Sequence, residues 1–411
     1  MYPQFTKQMK QTHTILVPDM LPIHLGLFKN VFEKSGYKIE CLRNSSRSVI
    51  DEGLKNVHND ACYPALLVVG QFIDAMKSGK YDENKVAFIM TQTGGGCRAS
   101  NYINLIRKAI ANVYPQIPVI SLNFSGLEKD ENSGFKLTTT NLLEMLLSVF
   151  YGDILMSFYN QVLPYEINKG DSKKMLDKWN DKLKEYLNHK KYRHLYRIAK
   201  EIAIDFSSIP TKKETKIKVG IVGEIYAKYS PLANNHLEDF LHSEDCEVVV
   251  PSLMDFVMYS ADATIWNHRQ YKNKNKLAFI YKLGYKIMYS MQKKVNKVVS
   301  KYSSFEPFHD FEKLKKAANT FISEGVVMGE GWLIPAEMAM LVESGCPNIV
   351  SCQPFGCLPN HIVSKGMQRV IKKNYPQANI VAIDYDPGAT KVNQENRIKL
   401  MLAQAKERSS L

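Results

Sequence analysis

The 411-residue chain lacks the short motifs that bind nucleotides or build common hydrolytic sites. It contains no Gly-x-x-x-x-Gly-Lys-Ser/Thr loop, and Val222-Gly223-Glu224 is too short for a dinucleotide-binding fingerprint. Its ten histidines are scattered, no Ser-His-Asp pattern emerges, and only His361 falls near a cysteine-rich block. These absences predict that the chain does not hydrolyse ATP by itself.

Long apolar runs are also missing. Residues 1–7 carry no signal-peptide core, and the longest apolar stretch, Leu142–Phe158, is interrupted by Glu144, Gly152 and Asp153. This stretch is typical of a buried helix rather than a membrane span. We therefore expect a cytoplasmic protein with no membrane partner. Seven cysteines without a secretion signal favour metal or redox use over disulfides.

Acidic residues are outnumbered, and the formal net charge is +13. Much of the excess lies in two stretches, Lys169–Lys200 and Arg269–Lys301, and the second interleaves lysines with tyrosines. Both patterns are typical of helices with solvated basic faces. The alternative is a docking face for an acidic protein or an anionic cofactor. The sequence does not favour nucleic acid as a partner, because no recognition motif accompanies the charge.

What the chain does contain is an alternation of apolar strands with helical patterns. The expected strands begin near Thr14, Tyr37, Val86, Val119, Ile217, Glu247, Asn348 and Asn379. This rhythm predicts an α/β fold of two Rossmann-like lobes with parallel sheets plus helical elements. The expected domains are an N-terminal lobe (1–140), a helical connector (141–215) and a C-terminal lobe (216–411) with a helical insertion at about 262–323. Ligands of such sheets gather at the carboxyl ends of the strands, which predicts a site in the cleft between the lobes.

Four cysteines lie in loops framed by glycine or proline. Cys62 precedes Pro64, Cys97 follows a glycine triplet, and Cys352 and Cys357 share one block after a predicted strand. Thiolates select zinc or iron–sulfur clusters, and the absence of close C-x-x-C pairs disfavours a zinc ribbon. Small residues beside the sulfurs leave room for a bulky cluster, although buried hydrophobic cysteines would show the same pattern.

Other residues near these cysteines have possible supporting roles. Arg98 and the backbone N–H groups of Gly95 and Gly96 are suited to offset the negative charge of a cluster. The same glycines after a strand would also suit a phosphate. The remaining cysteines lack loop glycines and are expected in the core; they are Cys41, Cys246 and Cys346.

Six blocks of the chain closely resemble the 2-hydroxyacyl-CoA dehydratase superfamily, in particular its activase-associated branch. The blocks are Cys62-Tyr63-Pro64, Gln92 to Tyr102, Gly223 to Tyr226, Gly329 to Trp332, Gln353 to His361 and Asp384 to Gly388. The resemblance spans nearly the whole chain. It implies two α/β lobes around a [4Fe–4S] cluster held by three cysteines, or a double-cubane [8Fe–9S] cluster made of two such cubes.

The resemblance also implies functional roles. Cys62 and Cys97 match the two ligands of the N-terminal lobe; Cys357 and Cys352 compete for the third position, and Cys357 fits the Cys-x-Pro turn better. The implied function is a low-potential reductase component that receives electrons from a separate ATP-dependent activator of actin-like fold with its own iron–sulfur cluster. The alternatives are a 2-hydroxyacyl-CoA dehydratase subunit and a non-catalytic cluster-binding sensor or scaffold.

Partners and substrates remain open at this point. The dehydratases of the family are heterodimers of related subunits, so a homodimer or such a heterodimer is possible. The substrate would be a CoA thioester or another small molecule.

Overall fold

The computed structural model describes residues 2–58, 60–92, 96–123, 134–189, 194–272 and 278–409. These residues form two four-stranded parallel sheets, with strand orders β2-β1-β3-β4 and β6-β5-β7-β8. The strands are β1 (Thr14–Val17), β2 (Lys38–Cys41), β3 (Val86–Gln92), β4 (Val119–Asn123), β5 (Ile217–Gly223), β6 (Cys246–Val249), β7 (Asn348–Pro354) and β8 (Asn379–Tyr385). The two sheets therefore share one topology, and the expected α/β class with two Rossmann-like lobes is confirmed.

Helices cover the sheets and fill the segment between them. Those of the first half are α1 (Met9–Thr12), α2 (Pro22–Lys34), α3 (Arg47–Asn56), α4 (Tyr63–Lys77), α5 (Tyr102–Val113), α6 (Thr139–Val162), α7 (Asp171–Asn188) and α8 (Leu195–Ser207). Those of the second half are α9 (Ile225–Tyr229), α10 (Leu237–Ser243), α11 (Leu253–Tyr271), α12 (Ala278–Tyr302), α13 (Phe311–Ala318), α14 (Leu333–Glu343), α15 (Leu358–Asn360), α16 (Gln368–Asn374) and α17 (Lys391–Ser409). Two 3₁₀ turns (98–101 and 163–165) and one π turn (361–365) complete the described elements.

The extent of β7 and the presence of α3 differ from the sequence-based expectation. The strand expected near Asn348 runs to Pro354 and includes Cys352; β7 is central and pairs with β5 on one side and β8 on the other. All seven of its residues are buried. The helix α3 was not expected, because its apolar positions are few and Gly53 interrupts the pattern. It packs closely on α4, where the backbone of Leu66 lies against Gly53.

The carboxyl ends of the two sheets face each other. The carbonyl of Phe355, just after β7, accepts a 2.8 Å hydrogen bond from the backbone N–H of Tyr63. Arg47 donates from Nη1 to the carbonyl of Pro387, just after β8, at 2.8 Å. Segments that follow strands of one sheet therefore contact segments that follow strands of the other, which is where ligands of parallel α/β sheets bind.

A buried aspartate in α6 joins the two halves of the chain. Asp153 Oδ1 lies 2.9 Å from His24 Nε2 in α2 and accepts the Leu253 N–H at 2.9 Å, while Oδ2 accepts the Met254 N–H at 3.0 Å. Leu253 and Met254 are the first residues of α11, so this carboxylate caps a helix of the second half while bonding a helix of the first.

The α6 segment is long and apolar enough to cross a membrane by length and composition, when counted as Thr139–Tyr165. In this fold, 67% of its most apolar window is buried inside the protein, as in a core helix. The sequence-based interpretation of this stretch as a buried helix agrees with that placement. The expected domain boundaries at 140 and 215 fall between sheet and helical segments, and they remain predictions.

Replacing Asp153 by alanine is expected to lower the free energy of unfolding by about 3 kcal/mol, because three buried hydrogen-bond partners lose their acceptor. Asp181→Ala, whose side chain is 78% exposed, serves as a matched control and should change stability by less than about 0.5 kcal/mol. Urea unfolding of both variants measures the difference. Equal stability of the two variants would contradict this role of Asp153.

Candidate functional site

Three cysteines lie at the start of helical turns. Cys62 is the N-cap of α4, Cys97 is the N-cap of the 3₁₀ turn at 98–101, and Cys357 is the N-cap of α15. The first backbone N–H groups of a helical turn have no acceptor inside the turn and are available to a thiolate. Burial nevertheless raises the pKa of all three thiols and favours their protonated form.

Three of these N–H groups oppose the effect of burial. Burial is the largest cause of the raised pKa values, and the N–H groups of Ala65, Ala99 and Asn360 act in the opposite direction on Cys62, Cys97 and Cys357 respectively. Hydrogen bonds to sulfur are also the contacts that tune protein-bound clusters.

Glycine allows the two lobes to meet at the cysteines. Gly356 has a φ of +71°, and a Cβ atom built there would lie 3.1 Å from Cys62 Cα and 3.2 Å from the Ala61 carbonyl oxygen. The segment that carries Cys357 therefore rests directly on the residue before α4. On the other side, a Cβ at Gly329 would lie 2.9 Å from Pro359 and 4.0 Å from Cys97 Cβ.

The three thiols share one buried electrostatic environment. Burial, opposed by a hydrogen bond from Tyr102, raises the pKa of Cys62 to about 11, and Glu224 and Cys97 add to the rise. Burial together with nearby carboxyls and Cys62 raises the pKa of Cys357 further. The pKa of Cys97 is raised by burial, Glu330 and Glu224. The structure thus brings Cys62, Cys97 and Cys357 together, although about 35 and 260 positions separate them along the chain.

Tyr102 and Asn360 supply polar groups beside the sulfurs. Tyr102 Oη lies 2.7 Å from Cys62 Sγ, and burial raises the pKa of Tyr102 well above its usual value. Asn360, three residues after Cys357, is fully buried, and neither its Oδ1 nor its Nδ2 has a partner among the described residues. An unpaired buried amide indicates a position where a bound group would complete its hydrogen bonds.

Two buried carboxyls stand next to the thiols. Glu224 follows β5 and accepts the Ala227 N–H at 2.8 Å, while Glu330 Oε1 accepts the Ile225 N–H at 2.9 Å. Burial and the neighbouring Glu330 raise the pKa of Glu224 to about 8. The pKa of Glu330 is also raised, chiefly by burial. At neutral pH this pair therefore holds a proton beside the cysteines.

One buried lysine limits the negative charge in this region. Lys228 Nζ lies 2.9 Å from Glu337 Oε1, and the two side chains are 3% and 1% exposed. Lys228 lowers the pKa values of Glu224 and Glu330 but does not offset their burial. The region therefore holds more buried acidic groups than buried bases.

Cys352 lies apart from this group. It is inside β7, is fully buried, and shares a hydrogen bond with Tyr385. Burial is the main cause that raises its pKa to about 12. The expectation that Cys352 sits in a loop is wrong, because β7 continues three residues past Ser351. Whether Cys352 or Cys357 binds a metal remains a prediction; Phe355 and Gly356, which come just before Cys357, contact the segment that carries Cys62.

The other predicted binding residues have mixed placements. Arg98 is exposed in the 3₁₀ turn that follows Cys97. Gly96 is also exposed, and a Cβ atom built there would lie 3.5 Å from the side chain of Met328. Gly95 lies outside the described residues. The three cysteines expected in the core behave in two ways: Cys246 and Cys346 are buried, while Cys41 on the edge strand β2 is half-buried.

The arrangement does not suit a single metal ion. Across the described ranges, no three His, Cys, Asp or Glu side chains are close enough to hold one ion. A cube of four irons has a different requirement, because each thiolate binds a separate iron and the sulfurs stand further apart. Three thiols on separate turns supply the kind of donor that such a cluster takes.

The sequence did not single out Glu224 and Glu330 as functional residues. Each follows a glycine with positive φ, Gly223 at +137° and Gly329 at +59°. A Cβ atom at Gly223 would lie 2.3 Å from the Cys352 carbonyl oxygen, so only glycine fits where β5 turns toward the site. The repeated Gly-Glu pair after an apolar segment was the available signal.

The fold and the site define a two-lobed α/β protein with two buried thiols, Cys62 and Cys357, and one half-buried thiol, Cys97, where the sheets meet. No protein-family model matches the chain, and no curated protein is significantly similar to it. The resemblance to the dehydratase superfamily therefore remains a prediction from the quoted blocks.

Gly356→Ala is expected to destabilise the fold by about 1–2 kcal/mol more than Gly345→Ala. Both glycines have positive φ, +71° and +83°, but no atom lies within 4 Å of a Cβ at Gly345. Both variants therefore strain the backbone in the same way, and only Gly356→Ala also places a methyl group too close to the backbone of Cys62. Equal losses in urea unfolding would show that the two segments are not in close contact.

Proposed function

We propose that this chain is an iron–sulfur protein that acts as a low-potential reductase component. Cys62, Cys97 and Cys357 would hold a [4Fe–4S] cluster, or one cube of a double-cubane [8Fe–9S] cluster. Electrons would come from a separate ATP-dependent activator. When bound, such a cluster supplies single electrons at low potential.

One observation carries this proposal: three cysteines from distant parts of the chain converge, and each is the N-cap of a helical turn. Buried cysteines that serve only as small hydrophobic residues have no need of helix N-termini. A thiolate ligand does, because its charge has to be stabilised inside the protein. The convergence of three N-cap cysteines therefore favours a positively charged ligand that all three would bind.

The protein's own groups would prepare the site for a reaction. Tyr102 Oη holds Cys62 Sγ in position, and the unpaired amide of Asn360 is available to orient a bound group. The proton held by Glu224 and Glu330 lies in the same buried region, ready for transfer to a reduced substrate. Three thiolates leave one iron of a cube without a protein ligand.

The proposed electron donor requires a surface on which to dock. Phe355 and Leu358 flank Cys357 and are 57% and 60% exposed, and Met328, beside Gly96, is 42% exposed. These exposed apolar side chains lie beside Cys357 and beside Gly96, the residue before Cys97, and would be covered by a bound partner. The absence of an ATP motif in the sequence fits a division of labour with a separate activator. Seven free cysteines suit a reducing compartment such as the cytoplasm.

A second candidate function is a 2-hydroxyacyl-CoA dehydratase subunit. The protonated carboxyl pair favours it, because loss of a hydroxyl group requires a nearby acid. Turnover of a 2-hydroxyacyl-CoA together with a homologous second subunit would support this function, and absence of CoA binding under anaerobic conditions would exclude it. Redox-dependent complex formation without turnover would instead favour a sensor or scaffold.

Alanine substitution at Cys62 or Cys97 is expected to abolish the iron and acid-labile sulfide of the anaerobically reconstituted protein. Removing one of three thiolates leaves two irons without a protein ligand. Cys246→Ala is the control, because that cysteine is buried like Cys62 but lies at the start of β6. Iron retained in Cys97→Ala, or lost in Cys246→Ala, would contradict the ligand assignment.

The C-terminal pair of cysteines gives a separate test. Cys357→Ala should lose iron, whereas Cys352→Ala should keep it, because only Cys357 lies at a helix N-terminus. Iron analysis and absorption spectra of the two variants distinguish the outcomes. Equal loss from both would favour four protein ligands and a cluster that transfers electrons without binding substrate. Loss of iron from Cys352→Ala alone would make Cys352, rather than Cys357, the cluster ligand.

A further inference from the structure

The helix α12 exposes an apolar stripe that no other described element covers. Phe279 and Ile280 are 74% and 61% exposed, and Leu283 and Ile287 are 51% and 49% exposed. The spacing of Phe279, Leu283 and Ile287 is i, i+4, i+8, which places them one above another on the same face of the helix. Large apolar side chains rarely stand exposed together on a soluble domain without a partner.

The charge of this helix is entirely of one sign. α12 contains six lysines and no aspartate or glutamate. Lys282 and Lys286 form a stripe next to the apolar one, and Lys294, Lys297 and Lys301 continue the exposed face toward the C-terminus. Within the described part of the chain, none of these lysines forms an ion pair with a carboxylate. The nearby acids Asp310 and Glu312 bond Tyr289 and Tyr285 on the opposite, α13-facing side.

We propose that α12 lies on an anionic lipid surface, with the stripe from Phe279 to Ile287 inserted among the acyl chains and the lysines facing the headgroups. A helix with large apolar side chains on one face, lysines beside them and no acids has the charge complementarity that anionic lipid requires.

A second copy of the chain is a poor occupant, because two such lysine-rich faces would repel each other. The proposal does not depend on the proposed iron–sulfur function. It departs from the expectation of no membrane partner, which rested on the lack of a spanning segment; a helix that lies in the headgroup layer needs none.

Vesicle flotation with the full-length protein tests the proposal. The protein should float with vesicles of phosphatidylcholine containing about one-third phosphatidylserine, and much less with phosphatidylcholine alone. High salt should weaken this binding, because the lysines act through screened charge. No binding to the anionic vesicles would overturn the proposal.

Two double variants separate the contribution of the apolar side chains to vesicle binding from that of the lysines, and each has a matched control. Phe279→Ser with Leu283→Ser should weaken binding roughly 100-fold, while Val392→Ser with Leu400→Ser on α17, also exposed, should not. Lys282→Gln with Lys286→Gln should weaken it about 30-fold, while Lys212→Gln with Lys213→Gln should have little effect. Equal losses in the variants and their controls would show that the binding is not localised to α12.

The same variants test the other possible occupants. A dimer in light scattering that dissociates in the Phe279/Leu283 variant would assign the stripe to a second copy. Binding to soluble polyglutamate, lost in the Lys282/Lys286 variant, without binding to vesicles would assign it to an acidic protein. Either result would overturn the proposal of a lipid surface.

Discussion

The site depends on one close approach between the two halves of the chain. Gly356 rests on the backbone of Cys62, and this contact brings a cysteine of the second lobe to two cysteines of the first. The result is two buried cysteines and one half-buried cysteine in a region that also contains two buried carboxyls. Burying several anions together is strongly unfavourable unless something positive binds there or protons remain. In the isolated chain protons remain, and the pKa values of the three thiols are raised.

The surrounding structure shows how the region would accept a positive ligand. Helix N-termini and backbone N–H groups stabilise the thiolates once they lose their protons. Lys228 balances Glu337, which leaves Glu224 and Glu330 to share a proton. Binding of an iron cluster would therefore release protons from the thiols while the carboxyl pair retains one. Because the buried charges have to balance, the Glu224 and Glu330 pair would remain protonated and could act as an acid next to the proposed site of reaction.

Much of the fold was predictable from sequence, because apolar strands alternate with helical patterns in a regular order. The strands expected near Thr14, Val86 and Val119 begin at those residues. The exact extent of β7 was not predicted, since a buried central strand carries no alternation to mark where it stops. The sequence pointed to the cysteines through their glycine and proline neighbours. It did not reveal Glu224 and Glu330, because burial and mutual proximity, which depend on the folded chain, are what distinguish them from other glutamates.

Native mass spectrometry of the full-length protein, isolated without oxygen, tests the central claim most directly. The account predicts a mass increase that matches an inorganic iron–sulfide cluster, about four irons and four sulfides for a single cube. Cys357→Ala should show the bare polypeptide mass, and Cys246→Ala should keep the increase. A parent protein that carries the bare mass after anaerobic isolation and reconstitution with iron and sulfide would contradict the account.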